Sequence, residues 1–305
     1  MITRFGKRFL TNYLAGNVNF SQKEIAFGIG STTANTKGND TKLEFEFYRM
    51  PTTFGSIDIV QTGEDIDDDP IFSYSVVYKA TIPTDMSGVI SEIGLYPVSR
   101  SSANNYDSKF ITSFENNMGW ILLGGASNPI LKLNSTSPEF ISKIGESMIQ
   151  VDVALNSTKE YKNSLFSYDL SGYSINDSIS IAYKKSDDNL DKIRIKFYSS
   201  ATAYCYIDFT PEAGTGDKIQ SLTLNNLFDN VTIPAPDLST ITQIGIEVTA
   251  GAGGTTTVYF DGIRINDEDT FDPTYGLISR SILASPLTKV SGRPVDIEYK
   301  LTLGF

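Results

Sequence analysis

Alternation of apolar and polar positions dominates this chain. In "KLEFEFYRM" (Lys42–Met50), Leu43, Phe45 and Phe47 fall on one face of an extended strand and Glu44, Glu46 and Tyr48 on the other. "FSYSVVYKATIP" (Phe72–Pro83) predicts a second long strand and "GVISEIGLYP" a third. Near the C-terminus, "LISRSILASP" and "PVDIEYKLTLGF" predict two more. In the last of these Val295, Ile297, Tyr299, Leu301 and Leu303 share one face, so the strand must dock on a sheet. The one helical prediction is Phe5–Leu14, where Arg4, Lys7 and Arg8 form a solvated face or a partner contact.

The strand in "SEIGLYP" (Ser91–Pro97) has no nearby return. The polar stretch "VSRSSANNYDSK" follows it, and the next segment fit to pair with it is "YGLISRSIL" (Tyr275–Leu283). Between Phe110 and Ile265 the texture changes to many short strands separated by Ser, Asn, Asp and Gly, the pattern of a jelly-roll sandwich. Polar linkers, Ser99–Ser108 and Asn266–Gly276, flank that stretch. The expected organisation is a hairpin with a domain inserted at its tip, where exposed backbone tolerates insertion. The outer domain takes residues 1–105 plus 270–305 and the insert residues 106–269. Three serial domains would leave the last two strands without a sheet. The fold class predicted is therefore all-β: a discontinuous β-sandwich domain with an inserted jelly-roll β-sandwich.

Composition narrows the chemistry. The net charge of −11 over 305 residues leaves no basic stripe to displace counterions, which argues against a nucleic-acid partner. No apolar run is long enough to span a bilayer, so no membrane insertion is expected. The N-terminus lacks the apolar core of a signal peptide, so the chain is expected to stay, or be assembled, where it is made. The single cysteine, Cys205 in "AYCYIDF", reads as a small buried residue. The absence of histidine excludes Ser-His-Asp and Cys-His catalysis and histidine metal sites. No phosphate-binding Gly-rich motif occurs, and "GAGG" (Gly251–Gly254) reads as a hairpin turn. A glycosidase carboxylate pair has no sequence signature and needs two acids facing across a groove. The expectation is a protein that is not an enzyme.

Five short segments resemble the β-domain of tailed-phage virion proteins of the tail-collar-fibre and baseplate type. They are Ile25–Gly30, Leu43–Arg49, Ala80–Pro83, Glu92–Tyr96 and Leu277–Arg280, in that order and at both ends of the chain. The large insertion between the fourth and fifth departs from the family pattern. The insert resembles galactose-binding jelly rolls of the carbohydrate-binding-module type. "FENNMGWILLGG" looks like the opening strand, and "DLSTITQIGIEV" with "TTTVYFDGIRI" looks like the closing strand pair.

The resemblances imply a virion structural protein of neck, collar, tail, baseplate or capsid surface. It would be assembled in the host cytoplasm, in a homo-oligomeric ring or multi-copy assembly with other virion proteins, and its jelly roll would project toward host-surface glycan or neighbouring subunits. The alternative is a carbohydrate-binding module of a secreted or scaffold protein. Asp261 occupies the place of an aspartate that helps hold a structural calcium in such modules, the one cofactor implied; the competing role is to cap a turn. Trp120, Tyr173 and Tyr198, with Tyr204 and Tyr206, are candidates for a glycan-stacking platform, against burial in the core. Arg49 and Arg280, carried by the virion resemblance, are candidates for pairing with acids on an adjacent subunit, against pairing within the chain. "EDIDDDP" (Glu64–Pro70) fails as an EF-hand, with Pro70 where the turn needs glycine, and reads as a solvated loop.

Overall fold

The computed structural model describes residues 1–16, 23–31, 40, 42–64, 66–97, 109–136, 142–266 and 276–303. The two polar linkers fall almost wholly outside them. The chain forms two compact units, Met1–Ser101 with Thr270–Phe305, and Ser102–Asp269. Both are built of antiparallel β-sheet.

The first unit opens with helix α1 (Arg4–Leu14), started by Thr3, whose hydroxyl accepts from the Gly6 N–H and satisfies one orphan donor of the first turn. Strands β1 (Glu24–Gly28), β2 (Glu46–Pro51), β3 (Thr53–Glu64), β4 (Pro70–Ile82) and β5 (Gly88–Tyr96) follow. The alternation beginning at Lys42 predicts a longer β2 than the chain makes. The Glu44 and Phe45 N–H groups donate instead to the Glu92 carboxylate, and regular pairing with β1 begins at Glu46.

The second unit contains β6 (Lys109–Thr112), β7 (Trp120–Leu122), β8 (Ile130–Leu133), β9 (Ser147–Val153), β10 (Thr158–Asn163), β11 (Ser178–Lys185), β12 (Leu190–Tyr198), β13 (Tyr204–Phe209), β14 (Gly216–Thr223), a short helix α2 (Asn225–Asp229), β15 (Gln243–Ala250) and β16 (Thr256–Asn266). Among the described residues one sheet runs β13-β12-β15-β10-β7, and the other β14-β11-β16-β9-β8 with β6 also on β16. Inward side chains of both, among them Ile195, Phe197, Ile246, Val151, Ile181 and Phe260, form one core. The Gly251–Gly254 turn is not a hairpin: it joins β15 of one sheet to β16 of the other. The supposed closing pair thus lies on opposite layers, because two short strands and a glycine turn look the same in sequence whether the chain folds back or crosses over.

The chain returns to the first unit as β17 (Ser279–Lys289) and β18 (Val295–Leu303). Strand β17 pairs β5 in the sheet β17-β5-β1-β2, so the partner missing after "SEIGLYP" is the "LISRSIL" segment. Strand β18 pairs β4 in the sheet β18-β4-β3. The two sheets and α1 share a core that includes Phe9, Ile25, Phe27, Tyr78, Ile93 and Leu301. Strand β5 is buried along its whole length, which is why it reads as a nearly unbroken apolar run around one charged residue, Glu92.

Candidate functional site

Strand β12 alternates strictly. Ile193, Ile195 and Phe197 enter the core of the second unit, so Lys192, Arg194, Lys196 and Tyr198 stand on the other face of the five-stranded sheet. The register sets their neighbours: Arg194 lies between Asp208 of β13 and Glu247 of β15, and Lys196 lies between Tyr206 and Gly245. Strand β10 adds Glu160 opposite Glu247 and Lys162 opposite Gly245.

These residues form one network. Arg194 donates Nε and a terminal nitrogen to Asp208, at 2.5 and 2.7 Å. The Asp208 carboxylate holds the guanidinium pKa above its usual value. The same guanidinium lies 4.0 Å over the Tyr206 ring. Lys196 Nζ donates to Glu160 at 2.7 Å and to Glu247 at 2.6 Å. Burial works against the Lys196 charge, but hydrogen bonds to these two acids outweigh it and its pKa is raised. Tyr198 Oη donates to the other Glu160 oxygen at 2.5 Å, and Lys162 Nζ sits 3.7 Å over the Tyr198 ring. Tyr204 and Tyr206, both half-buried, stand side by side on edge strand β13 with ring centroids 6.3 Å apart.

The glycan-platform expectation is corrected at its three leading residues. Trp120 is 1% exposed and packs against Phe114 in the core, Tyr198 is 2% exposed beneath Lys162, and Tyr173 is buried with its hydroxyl on Tyr168. None of these rings offers a face to a sugar. Tyr204 and Tyr206 remain: cations lie over one side of each ring, Lys196 at 5.4 Å and Arg194 at 4.0 Å, but unlike Tyr198 both tyrosines keep part of their surface exposed. The charged partners around them were not singled out from sequence, although the alternation in "KIRIKFY" marks Lys192, Arg194 and Lys196 as a shared polar face.

Asp261 is buried, and its carboxylate accepts from the Ser142 hydroxyl at 2.6 Å, the Lys143 N–H at 2.7 Å and the Ile144 N–H at 3.3 Å. Three donors converge where a cation would need acceptors, so these residues do not fit calcium; Asp261 caps the 142–144 turn. Among the described residues no cluster of three acids or cysteines could hold a metal. Burial pushes the Asp261 pKa up to about 7 against the pull of those hydrogen bonds.

Arg49 and Arg280 turn to acids of their own chain rather than outward. Arg49 pairs with Glu46 at 2.7 Å and lies 3.8 Å over the Tyr96 ring. Arg280 is buried on Glu92 at 2.8 Å, with Asp40 at 3.5 Å. In place of the expected acids of a neighbouring subunit, Arg280 of β17 meets Glu92 of the adjoining β5, and Arg49 of edge strand β2 meets Glu46 of its own strand and, at 3.9 Å, Glu24 of β1. Cys205 is fully buried, and burial pushes its thiol up to about 12.

No family model and no curated protein matches this chain. Among solved structures it is similar to the family 11 carbohydrate-binding module of a cellulosomal cellulase from Clostridium thermocellum, at 16% identity and TM-score 0.35, over 52% of this chain and 95% of that one. It is also similar to a carbohydrate-binding module specific for non-crystalline cellulose, at 8% identity and TM-score 0.34, over 53% of this chain and 95% of that one. The match to an exo-beta-agarase, at 14% identity and TM-score 0.35, covers 52% of this chain but only 25% of the agarase.

Proposed function

We propose that this chain is a non-enzymatic glycan-binding protein, with the ligand held by the second unit on the polar face of its five-stranded sheet. The observation that carries this reading is the Tyr204–Tyr206 pair, 6.3 Å apart, bordering a face whose cations are matched to acids. Arg194 is on Asp208, Lys196 on Glu160 and Glu247, Lys162 is 3.8 Å from Glu160, and Lys192 is 3.9 Å from Glu247. A face balanced in this way suits a neutral polyhydroxyl ligand, whose hydroxyls can donate to carboxylates and accept from the cations, while the tyrosines meet apolar sugar faces. Glu160 and Glu247 share one lysine, an arrangement that holds charge rather than moving a proton between them. Weak single-site binding would be multiplied by several copies. Affinity electrophoresis through soluble neutral β-glucans, galactans and mannans tests the reading. At least one polymer should retard the chain, and Tyr204→Ala and Tyr206→Ala should each weaken that retention about tenfold, near 1.4 kcal/mol. Migration unaffected by every polymer, or variants retained like the parent, removes it.

A second reading concerns the first unit: that it anchors the chain among other proteins of a tailed-phage particle. Its support is that four of the five segments carrying the resemblance meet at one carboxylate. Glu92 accepts from the N–H groups of Gly30, Glu44 and Phe45 and from Arg280. Mass spectrometry of purified particles from cells making this chain tests it, and absence of the chain from them ends it.

A further inference from the structure

The sheet β18-β4-β3 extends beyond the core it helps to build. On its inner face Tyr78, Tyr299 and Leu301 are buried. The register places Phe54 opposite Tyr78, Ile57 opposite Val76 and Ile59 opposite Tyr74, with Phe72 two positions further along β4. That face therefore continues outward as an apolar stripe on the β3–β4 hairpin, and there it is uncovered: Phe54 and Ile57 are each 62% exposed, Ile59 59% and Phe72 41%. From Val76 to Pro70 the hairpin runs on for about 20 Å. The opposite face is mixed: Lys300 is on Asp58 and Ser75 on Thr302, while Val60 and Ile71 stand exposed there at 51% and 44%. The inner stripe is the longer of the two and the one that carries exposed aromatic side chains, and a contiguous apolar patch of this kind marks an interaction surface.

Two features identify the occupant. The edge of β3 is bulged at Phe54/Ser56 and Gln61/Gly63, which disfavours strand addition and leaves face packing as the mode of contact. The charges are complementary within the same unit. The tip of the arm is acidic, with Glu64, Asp67, Asp68 and Asp69 exposed, whereas α1 exposes Arg4, Lys7 and Arg8 and has no acid in its first turn. Helix α1 puts Phe9 into the core formed with Tyr78 and Leu301 and keeps Arg4, Lys7 and Arg8 exposed. A second copy of the chain offers the apolar stripe and the basic helix together.

We propose that the inner face of the β3–β4 arm is a self-association surface: the arm packs on the same region of a second copy, and its acidic tip reaches that copy's α1. The proposal does not depend on glycan binding by the second unit. Sedimentation velocity of the full chain over about 1–100 μM tests it, since association appears as a concentration-dependent increase in mass. Ile57→Lys with Ile59→Lys should give a monomer with an unchanged melting temperature, because both side chains are already exposed. Val60→Lys, on the opposite face, should associate like the parent. Arg4→Glu with Lys7→Glu and Arg8→Glu should weaken association about tenfold or more, near 1.4 kcal/mol. Adding Asp67→Lys, Asp68→Lys and Asp69→Lys should restore it. A parent chain monomeric throughout the range means that something other than a copy covers the arm and overturns the proposal. So does association that survives the Ile57/Ile59 change, or is lost equally with Val60→Lys.

Discussion

Glu92 and Arg280 lie 188 residues apart in the chain and are joined by two hydrogen-bonded contacts, at 2.9 and 2.8 Å. The Glu92 carboxylate, fully buried, also accepts from three backbone N–H groups, those of Gly30, Glu44 and Phe45, at 3.0–3.1 Å. Both ends of the first unit and the loop between β1 and β2 are thus held by one side chain. A buried carboxylate is tolerated here because its oxygens have partners of the right sign and geometry.

Loss of Arg280 takes one partner from Glu92, whereas Glu92 itself serves four, and this difference orders two substitutions. Arg280→Leu leaves the carboxylate with its three N–H donors and should cost about 3–5 kcal/mol. Glu92→Leu orphans those donors as well, each worth about 1–3 kcal/mol, and should prevent the first unit from folding. Urea denaturation followed by circular dichroism checks the order; a Glu92→Leu chain as stable as Arg280→Leu refutes it.

The glycines of "IAFGIG" have a steric role in the same place. A methyl group on Gly30 would stand 2.5 Å from the Glu92 carboxylate, whereas one on Gly63 would meet nothing within 4 Å. Gly30→Ala should therefore destabilise by about 1–3 kcal/mol, and Gly63→Ala should stay within about 0.5 kcal/mol of the parent. Paired urea titrations read the difference, and equal midpoints for the two variants contradict it.

The all-β class was legible because alternation is a local property, and β18 shows how far it carries: its apolar face required a sheet, and β4 supplies one. The return of β5 to β17 was legible because a polar stretch with no strand signal follows "SEIGLYP" and "YGLISRSIL" is the next run fit to pair with it. Less legible was anything set by layer or cover. Trp120 and Tyr198 carry the composition of a sugar platform, but whether a ring faces solvent depends on what the other sheet and side chains such as Lys162 place over it. Asp261 and a calcium ligand look alike in sequence; only the turn at 142–144 shows that donors surround it. Strand β3 was missed because Gly55 and Gly63 interrupt a run whose pairing adapts to them by bulges.

The buried Trp120 and Cys205 give two native probes of the second unit. Trp120 is the only tryptophan and Cys205 the only cysteine in the chain. Native protein should emit at short wavelength and resist thiol reagents, and both properties should be lost in one transition on unfolding. Because Trp120 lies away from the polar sheet face, a bound polysaccharide should leave its emission unchanged. A large emission shift on adding a retained glycan would contradict both the buried placement and the ligand face.

Asp261 supplies a pH test with a definite sign. Its pKa rises from 3.8 to about 7 in the folded chain, burial being the main cause and the nearby Glu115 charge adding to it. The folded state therefore favours the protonated carboxyl. The stability this gives is fully present below pH 3.8 and is lost as pH rises toward 7, on the order of a few kcal/mol across the window. Asp261→Asn cannot titrate, so the difference in melting temperature between parent and variant should favour the parent most at acid pH. It should shrink as pH rises through the window and level off above about 7. Because donors rather than acceptors surround the carboxylate, calcium or chelator should move neither curve. If the difference grows with pH instead, the Ser142, Lys143 and Ile144 donors stabilise the anion more than burial opposes it, and the role of Asp261 becomes that of a charged cap.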